Sequence, residues 1–542
     1  MKINNQKITS VIKKISRAIF YFSESNNEEV PFGWYSKPEI SAYFDAAVKQ
    51  NTYDPNEIMD DFTYEDIGAV KYSEYLLKNS SVFARQYFEF KIRFGSSQPE
   101  SENFIDEAYT ISDRVSYFKD LKMCLKPLLQ VRQEIASVIF SKNKIKAPTI
   151  FFKIRYASSV GVLFCLLFAF YFNLITLSLL ISYAIFSFYV QIRCYKFLKE
   201  WTGKRNSLQK LLGVALSCMK LNSNLTIASS NQIVSEDKIN EILDGLSPGF
   251  LASSLISEYA NLFFLYEYTR VNKEISIVEK YKKELQAIYD SIAKKELQLA
   301  ISEMVMSVVN VCRPEKSISN NILFRNLKHP LLSASFPIDV HTENKSIFVS
   351  GKNGVGKSTL LRAIGISIAT YKAFGYSHAD KATLPQAMIW SSIQVNDSIE
   401  QGRSLYMTEL MRASRLIKIS KYKSSKVFLI DELFHGTNYQ ESVAASAAVL
   451  HELAKRNTVF VTSHNSVLAA LLHDRFRAYK LVKTKFDELK LVPGVLVNTN
   501  GIDLMTSYDF DFNLIENARR IAEWYSEYVS NPESIPDKLF GK

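Results

Sequence analysis

The apolar positions of this 542-residue chain follow three different spacings in turn. Over residues 82–140 they recur every three or four places, as in Leu121, Cys124, Leu125, Leu128 and Leu129, which predicts helices with one buried face. The same spacing returns after residue 200. It becomes heptad-like through Val278, Tyr281, Leu285, Ile288, Ile292 and Leu299, with Lys295 interrupting, and Arg313-Pro314 closes it. Lys280, Lys282, Lys283, Glu284, Lys294 and Glu296 cover the other face, either as a solvated surface or as a nucleic-acid patch. Beyond about residue 320 the pattern changes to short apolar runs, Ile347-Phe348-Val349, Val427–Ile430 and Val459–Val461, set between helical segments. That alternation predicts buried parallel strands in an α/β domain. Residues 1–85 are polar and aromatic-rich, with turn signals at Pro31-Phe32-Gly33 and Asp54-Pro55-Asn56 and helical patterns over 11–22 and 39–48. No chemistry stands out in them.

Residues 156–192 break every one of these patterns. The stretch carries no charge and is dominated by Phe, Leu, Ile and Val. As one helix it would be about 55 Å long, nearly twice the roughly 30 Å of a bilayer's hydrocarbon layer. Split near Asn173, it gives two segments close to the minimum span. Lys142, Lys144, Lys146, Lys153 and Arg155 precede it, and Arg193, Lys196, Lys199, Lys204 and Arg205 follow. Positive charge on both flanks puts both ends of a hairpin, and the rest of the chain, on the cytoplasmic side. A pair of helices buried in a soluble core is the competing reading, but such helices keep a polar stripe and this stretch has none. The expectation is a two-span membrane anchor over 156–192.

The net charge of +11 favours an anionic partner, either nucleic acid or a lipid head-group surface. The five cysteines are scattered without a C-x-x-C pair, which argues against a zinc site or a disulfide framework and suits a reducing compartment. The first twenty residues lack the continuous apolar core of a secretory signal.

The chemistry concentrates after residue 345. Ser346–Leu360 reads as a strand, then Gly351-x-x-x-x-Gly356-Lys357-Ser358, then a helix. Gly351, Gly354 and Gly356 let the backbone curl its N–H groups toward phosphate oxygens, with Asn353 and Thr359 in the same loop. Lys357 would reach the β- and γ-phosphates, and the Ser358 hydroxyl would ligate Mg²⁺. The run Val427–Ile430 ends in Asp431-Glu432, a metal-holding carboxylate followed by a candidate general base for the attacking water. The run Val459–Thr462 leads to Ser463-His464, and a His at the carboxyl end of a parallel strand would face the γ-phosphate. Asn396–Met407 opens a helix with Gly402-x-Ser404, a further anion-binding helix start that points to a site completed by a second subunit.

Together these residues resemble the MutS family of DNA mismatch-repair ATPases, a branch of the ABC-type ATPases. The resemblance rests on Gly351-x-Asn353-x-x-Gly356-Lys357-Ser358-Thr359, Asp397–Met407, Asp431-Glu432-x-x-x-Gly436-Thr437 and Thr462-Ser463-His464, in that order. Cys312-Arg313-Pro314 and Lys328-His329-Pro330 look like the family's lead-in, and Phe336 matches the position that stacks on adenine. Leu489–Met505 resembles its closing strands and helix. The chain departs from the family pattern at Lys352 and Val355 in the loop and at Phe434-His435 after the carboxylates, and nothing N-terminal resembles a mismatch-reading domain. The signature segment has Glu400-Gln401-Gly402-Arg403-Ser404 where a transporter-type ATPase would carry Leu-Ser-Gly-Gly-Gln.

The expected architecture is an α/β P-loop ATPase domain over 320–542, behind an all-α core and lever region interrupted by the transmembrane hairpin. The segments run 1–85, 86–155, 156–192, 193–315 and 320–542. The resemblance implies Mg²⁺-dependent ATP hydrolysis in a homodimer, with Lys357, Ser358, Asp431 and Glu432 of one subunit facing Ser404 of the other. It also implies a helical clamp over about 86–150 and 200–310, closing on DNA. The alternative is a nucleotide-switched membrane scaffold that grips a protein partner or deforms lipid.

Overall fold

The computed structural model describes residues 35–49, 54–145, 157–221, 228–229, 232–247, 266–307, 310–332, 337–393, 405–434, 436–484, 488–496, 502 and 510–530. Its contacts divide the chain into two compact units. The first gathers residues 1–52, 77–90 and 110–303, and the second residues 53–76, 91–109 and 304–542. The packing thus groups the chain by contact rather than in consecutive blocks. The helical pattern over 11–22 lies outside the described residues.

The first unit is helical. Its centre is aromatic, with Tyr289 packed edge-on against Tyr43, Phe83 and Phe140 at ring distances of 5.1–5.5 Å. The Tyr43 hydroxyl donates to Asp290 Oδ1 at 2.7 Å, and Tyr289 donates to Gln86. Both hydroxyls thus bury their rings without stranding a donor. The heptad-like positions fall on the helices Tyr266–Lys280 and Lys282–Ser307 and at the Tyr281 junction between them, and all six are buried.

The charge-free stretch forms two helices, Ala157–Phe170 and Leu174–Leu221, turning at Asn173. Asn173 Oδ1 accepts the Thr176 N–H at 2.9 Å and so caps the second helix. Phe164 meets Tyr183 edge-on at 5.8 Å between the two. At 1.5 Å per residue the first arm is about 21 Å long, short of a roughly 30 Å hydrocarbon layer. Among the described residues one helix, Leu174–Leu221, is long and apolar enough to cross a membrane, where the sequence predicts two spans. That helix has two characters. Toward its start Leu174, Ile175, Ile185 and Phe188 are exposed, while further on Trp201, Leu208, Leu211, Leu212 and Ala215 are buried. There Trp201 Nε1 donates to Glu274 Oε2 at 2.8 Å, and Arg270 pairs with Glu274 Oε1 at 2.8 Å.

The second unit is built on two sheets. The larger has six strands: β1 (Ser346–Gly351), β2 (Met388–Ser392), β3 (Lys426–Asp431), β4 (Thr458–Thr462), β5 (Phe476–Lys483) and β6 (Leu489–Pro493). Their order is β6-β5-β1-β4-β3-β2, parallel except for β6, which pairs antiparallel with β5. Thr462 at the end of β4 lies level with Val349 on one side and Asp431 on the other, so the carboxyl ends of β1, β3 and β4 open at one edge. Strands β1 and β2 are buried along their whole length, which explains their unbroken apolar runs. The smaller sheet has four strands, in the order Glu315–Lys316, Lys381–Leu384, Leu323–Leu327, Ile338–His341.

The outer edge of β2 is covered by the N-terminal helix Asp61–Asp66. Ser391 donates its N–H to Thr63 Oγ1 at 3.1 Å, and its hydroxyl to Asp66 Oδ2 at 2.8 Å. An edge strand is thereby closed by side chains that come from some 325 residues earlier in the sequence. The helix Lys357–Phe374 packs beneath, with Gly365 so close to Ile67 that an added Cβ would lie 2.7 Å from Ile67 Cγ2.

Candidate nucleotide site

The loop after β1 takes the shape that its glycines permit. Gly354 and Gly356 have φ of 75° and 108°, the left-handed region that side chains resist, and Gly356 leads directly into the helix Lys357–Phe374. That places a helix N-terminus, with its unpaired N–H groups, at the open edge of the sheet.

Lys357 is buried at the mouth of the loop. Its Nζ donates to the carbonyls of Gly351 at 3.0 Å and Lys352 at 3.2 Å. Burial lowers the Lys357 pKa, and the nearby charges of Glu432 and Asp431 oppose that shift. Asp431 accepts hydrogen bonds from the Ser358 hydroxyl and from the Thr462 hydroxyl, which fixes both carboxylate oxygens. Glu432 leaves β3 with a positive φ of 50°, a left-handed turn at a non-glycine residue, and its N–H donates to the Thr462 carbonyl at 3.0 Å. The turn sets its carboxylate 2.8 Å from His464 Nε2. The same nitrogen lies 3.1 Å from Lys357 Nζ. Unprotonated it accepts from the lysine, and protonated it donates to Glu432, so the imidazole links the Lys357 ammonium to the Glu432 carboxylate.

These side chains line a cleft of about 670 Å³. Asn353, Gly354, Gly356, Lys357, Ser358 and Thr359 form one wall, and Asp431, Glu432 and His464 another. Gly351 contributes through its carbonyl. Phe336 and Ser404 lie outside the described residues, and so does the signature segment as far as residue 404. The helix that follows it, Leu405–Ser420, is present. Three lining residues escaped the reading of the sequence: Arg362, Ile393 and Glu409. Arg362 sits one turn beyond Ser358 on the loop helix, so an i, i+4 reading would have found it. Glu409 is buried on the helix Leu405–Ser420 and accepts the Gly436 N–H at 3.3 Å.

The donor set suits Mg²⁺ held together with phosphate. Ser358 Oγ and the Asp431 carboxylate are hard oxygen donors in mutual contact, while no group of three or more His, Cys, Asp or Glu could cage a metal alone among the described residues. Such a site holds its metal only when ligand oxygens complete the shell.

The MutS domain V family model matches residues 347–523, the stretch that holds the loop, both carboxylates and His464. The chain carries a MutS-family domain V. The chain is also similar to the mitochondrial DNA mismatch repair protein mutS homolog of Sarcophyton glaucum, at 27% identity over 48% of this chain and 30% of that protein. The DNA mismatch repair protein MutS of Nitratidesulfovibrio vulgaris (strain DP4) is 26% identical over 39% of this chain and 25% of its own length. That of Lawsonia intracellularis is 23% identical over 49% and 33%. The chain thus matches a quarter to a third of the length of these relatives. Domain V accounts for the larger sheet and the cleft. The segments 53–76 and 91–109, which pack into the same unit, lie before the matched residues.

Proposed function

We propose that this chain is a membrane-tethered, Mg²⁺-dependent ATPase of the MutS type, working as a homodimer on DNA. One observation carries the reading: Lys357, the Ser358–Asp431 pair and the Glu432–His464 pair converge on one cleft at the carboxyl edge of a domain V sheet. In the proposed assignment, the N–H groups from Asn353 to Thr359 cradle the phosphates, and Lys357 gives up its loop carbonyls to bind the β- and γ-phosphates. Ser358 and Asp431 hold Mg²⁺, which supplies neutralisation of the phosphate charge. Glu432 takes a proton from the attacking water, and His464 orients it through Nε2. Phe336 stacks on adenine, and Ser404 from a second copy closes the site. Purified protein should hydrolyse ATP only with Mg²⁺. In mixed dimers, Ser404→Ala should impair hydrolysis only at the site facing the mutant copy, and equal loss at both sites would refute completion in trans.

The DNA assignment draws on the names of the relatives and on the net charge of +11. It predicts an affinity for duplex that falls steeply with salt as counterions are released. No binding at low salt, with or without ATP, would overturn it.

The tether is the apolar start of Leu174–Leu221 with the arm Ala157–Phe170, followed by Arg193, Lys196 and Lys199 at the head-group level, with the ATPase domain cytoplasmic. The expected result is that the chain floats with vesicles and resists alkaline extraction. Recovery in the soluble fraction without detergent would remove the tether. The same exposed apolar residues favour a second reading, a nucleotide-switched scaffold on anionic lipid. Vesicle binding that excess duplex DNA leaves unchanged, together with no DNA affinity, would select it.

A further inference from the structure

Asp66, which lies before the matched domain, contacts two residues that line the cleft, and nothing in the chemistry of that domain calls for it. It is buried at the end of the helix Asp61–Asp66. Its Oδ2 accepts the Ser391 hydroxyl and the Ile393 N–H, each at 2.8 Å. Arg412 approaches the same oxygen at 3.8 Å. The Asp66 carbonyl accepts Arg362 Nε at 3.1 Å. Arg362 and Ile393 both line the cleft from different elements, one from the helix Lys357–Phe374 and the other just beyond the end of β2.

One residue therefore ties two walls of the cleft together. Arg362 is a long cation with many rotamers, and a hydrogen bond on Nε fixes the plane of its guanidinium and with it the direction of the terminal N–H groups. Ile393 is the last described residue before the segment leading to Ser404, and its N–H is the first beyond β2. A buried carboxylate that accepts this N–H fixes where the chain leaves the sheet.

We propose that Asp66 is a positioning residue of the nucleotide site, holding Arg362 and the Ile393 corner where a triphosphate needs them. This rests on the reading of the cleft as an ATP site. Residues 54–76 are then part of the nucleotide-binding unit in function as well as in packing.

The test is a double-mutant cycle on the full-length protein, with a fluorescent ATP analogue and Mg²⁺ as probe. Asp66→Ala should weaken nucleotide binding about tenfold, a loss typical of charge-assisted hydrogen bonds. Asp66→Asn, which retains an acceptor for the Ile393 N–H, should restore most of it. Arg362→Lys keeps the charge but loses the Nε–H and should also cost about tenfold. Combined with Asp66→Ala it should cost far less than the product of the two, because the carboxylate anchors the backbone whose carbonyl holds Arg362, and losing that anchor already loosens the Arg362 contact. Independent, multiplicative losses would overturn the proposal. So would wild-type affinity in Asp66→Ala together with a lower melting temperature, the mark of a purely structural residue. If Asp66→Ala does not fold, the cycle with Asp66→Leu, a residue of similar size that has no acceptor for the Ile393 N–H, decides by the same criterion. Lys357→Ala separates the two levels of inference. If it binds nucleotide as well as the wild type, the cleft is not the ATP site. If it fails to bind while the Asp66 variants bind normally, only the role of Asp66 falls.

Discussion

Replacing Gly375 by alanine tests the packing on which the second unit depends. Gly375 ends the helix Lys357–Phe374 with φ 82° and ψ 13°. A Cβ there would lie 2.5 Å from the Ser101 carbonyl oxygen and 2.9 Å from Ile105 Cγ2. Two costs follow. The left-handed backbone conformation costs an L-residue about 1–2 kcal/mol. Forcing apart a close contact with backbone costs roughly 1–3 kcal/mol more. Gly68 supplies the control, since its φ is 74° and nothing lies within 4 Å of the position its Cβ would take. Gly68→Ala pays the first cost alone, so the difference between the two variants isolates the approach of residues 101–105. In a unit of this size 1 kcal/mol is worth about 2–4 °C, so Gly375→Ala should melt roughly 2–12 °C below Gly68→Ala. Thermal unfolding of the full-length protein, followed by tryptophan fluorescence, measures this directly. Identical melting of the two variants would mean that residues 98–109 do not press on the end of the phosphate-loop helix, and the architecture described for this unit would be wrong.

Three other outcomes follow from the geometry. Lys357→Ala should lower ATP affinity by about ten- to a hundredfold, the worth of one or two charge-assisted bonds, measured by fluorescent-nucleotide titration. Glu432→Gln should bind ATP like the wild type but turn over at least about a hundredfold more slowly in a phosphate-release assay; loss of binding instead would assign Glu432 to nucleotide affinity. Glu296 in the helical unit is fully buried, and burial pushes its carboxyl from 4.5 up to about 7 against the opposing hydrogen bonds from Ser81 and the charge of Arg85. Because the folded form holds this proton more tightly than the unfolded chain, stability should fall as pH rises from about 4.5 to 7, by about 3 kcal/mol in all. Glu296→Gln should remove that slope from urea-unfolding measurements across the range, and an unchanged slope would refute the assignment.

The site was legible because its chemistry is local. Gly354, Gly356, Lys357 and Ser358 sit in one loop, and Asp431, Glu432 and His464 follow apolar runs whose burial needs no partner information. The turn at Asn173 was legible for the same reason, since an amide side chain that can cap a helix sits near the middle of a charge-free stretch. The contribution of residues 54–76 was not. Asp66 stands in a polar helix with no pattern that points to Ser391 or Ile393, and its meaning comes only from contacts spanning more than 300 residues of chain. The length of each arm around Asn173 was also hidden. Charge and hydropathy mark where a stretch could enter lipid, but the helix Leu174–Leu221 continues past Arg193 into a packed core that hydropathy does not register.

That continuity gives the helix a mechanical meaning. Forty-eight residues without a proline make a rod about 72 Å long. Gly203 offers little slack, since an added Cβ there would meet the Gln133 side chain at 2.6 Å. With its exposed end in lipid, the rod would carry any tilt imposed by bilayer thickness straight to Trp201 and Glu274. Under the proposed tethering the helix would act as a strut, and bilayer thickness would become an input to the helical unit.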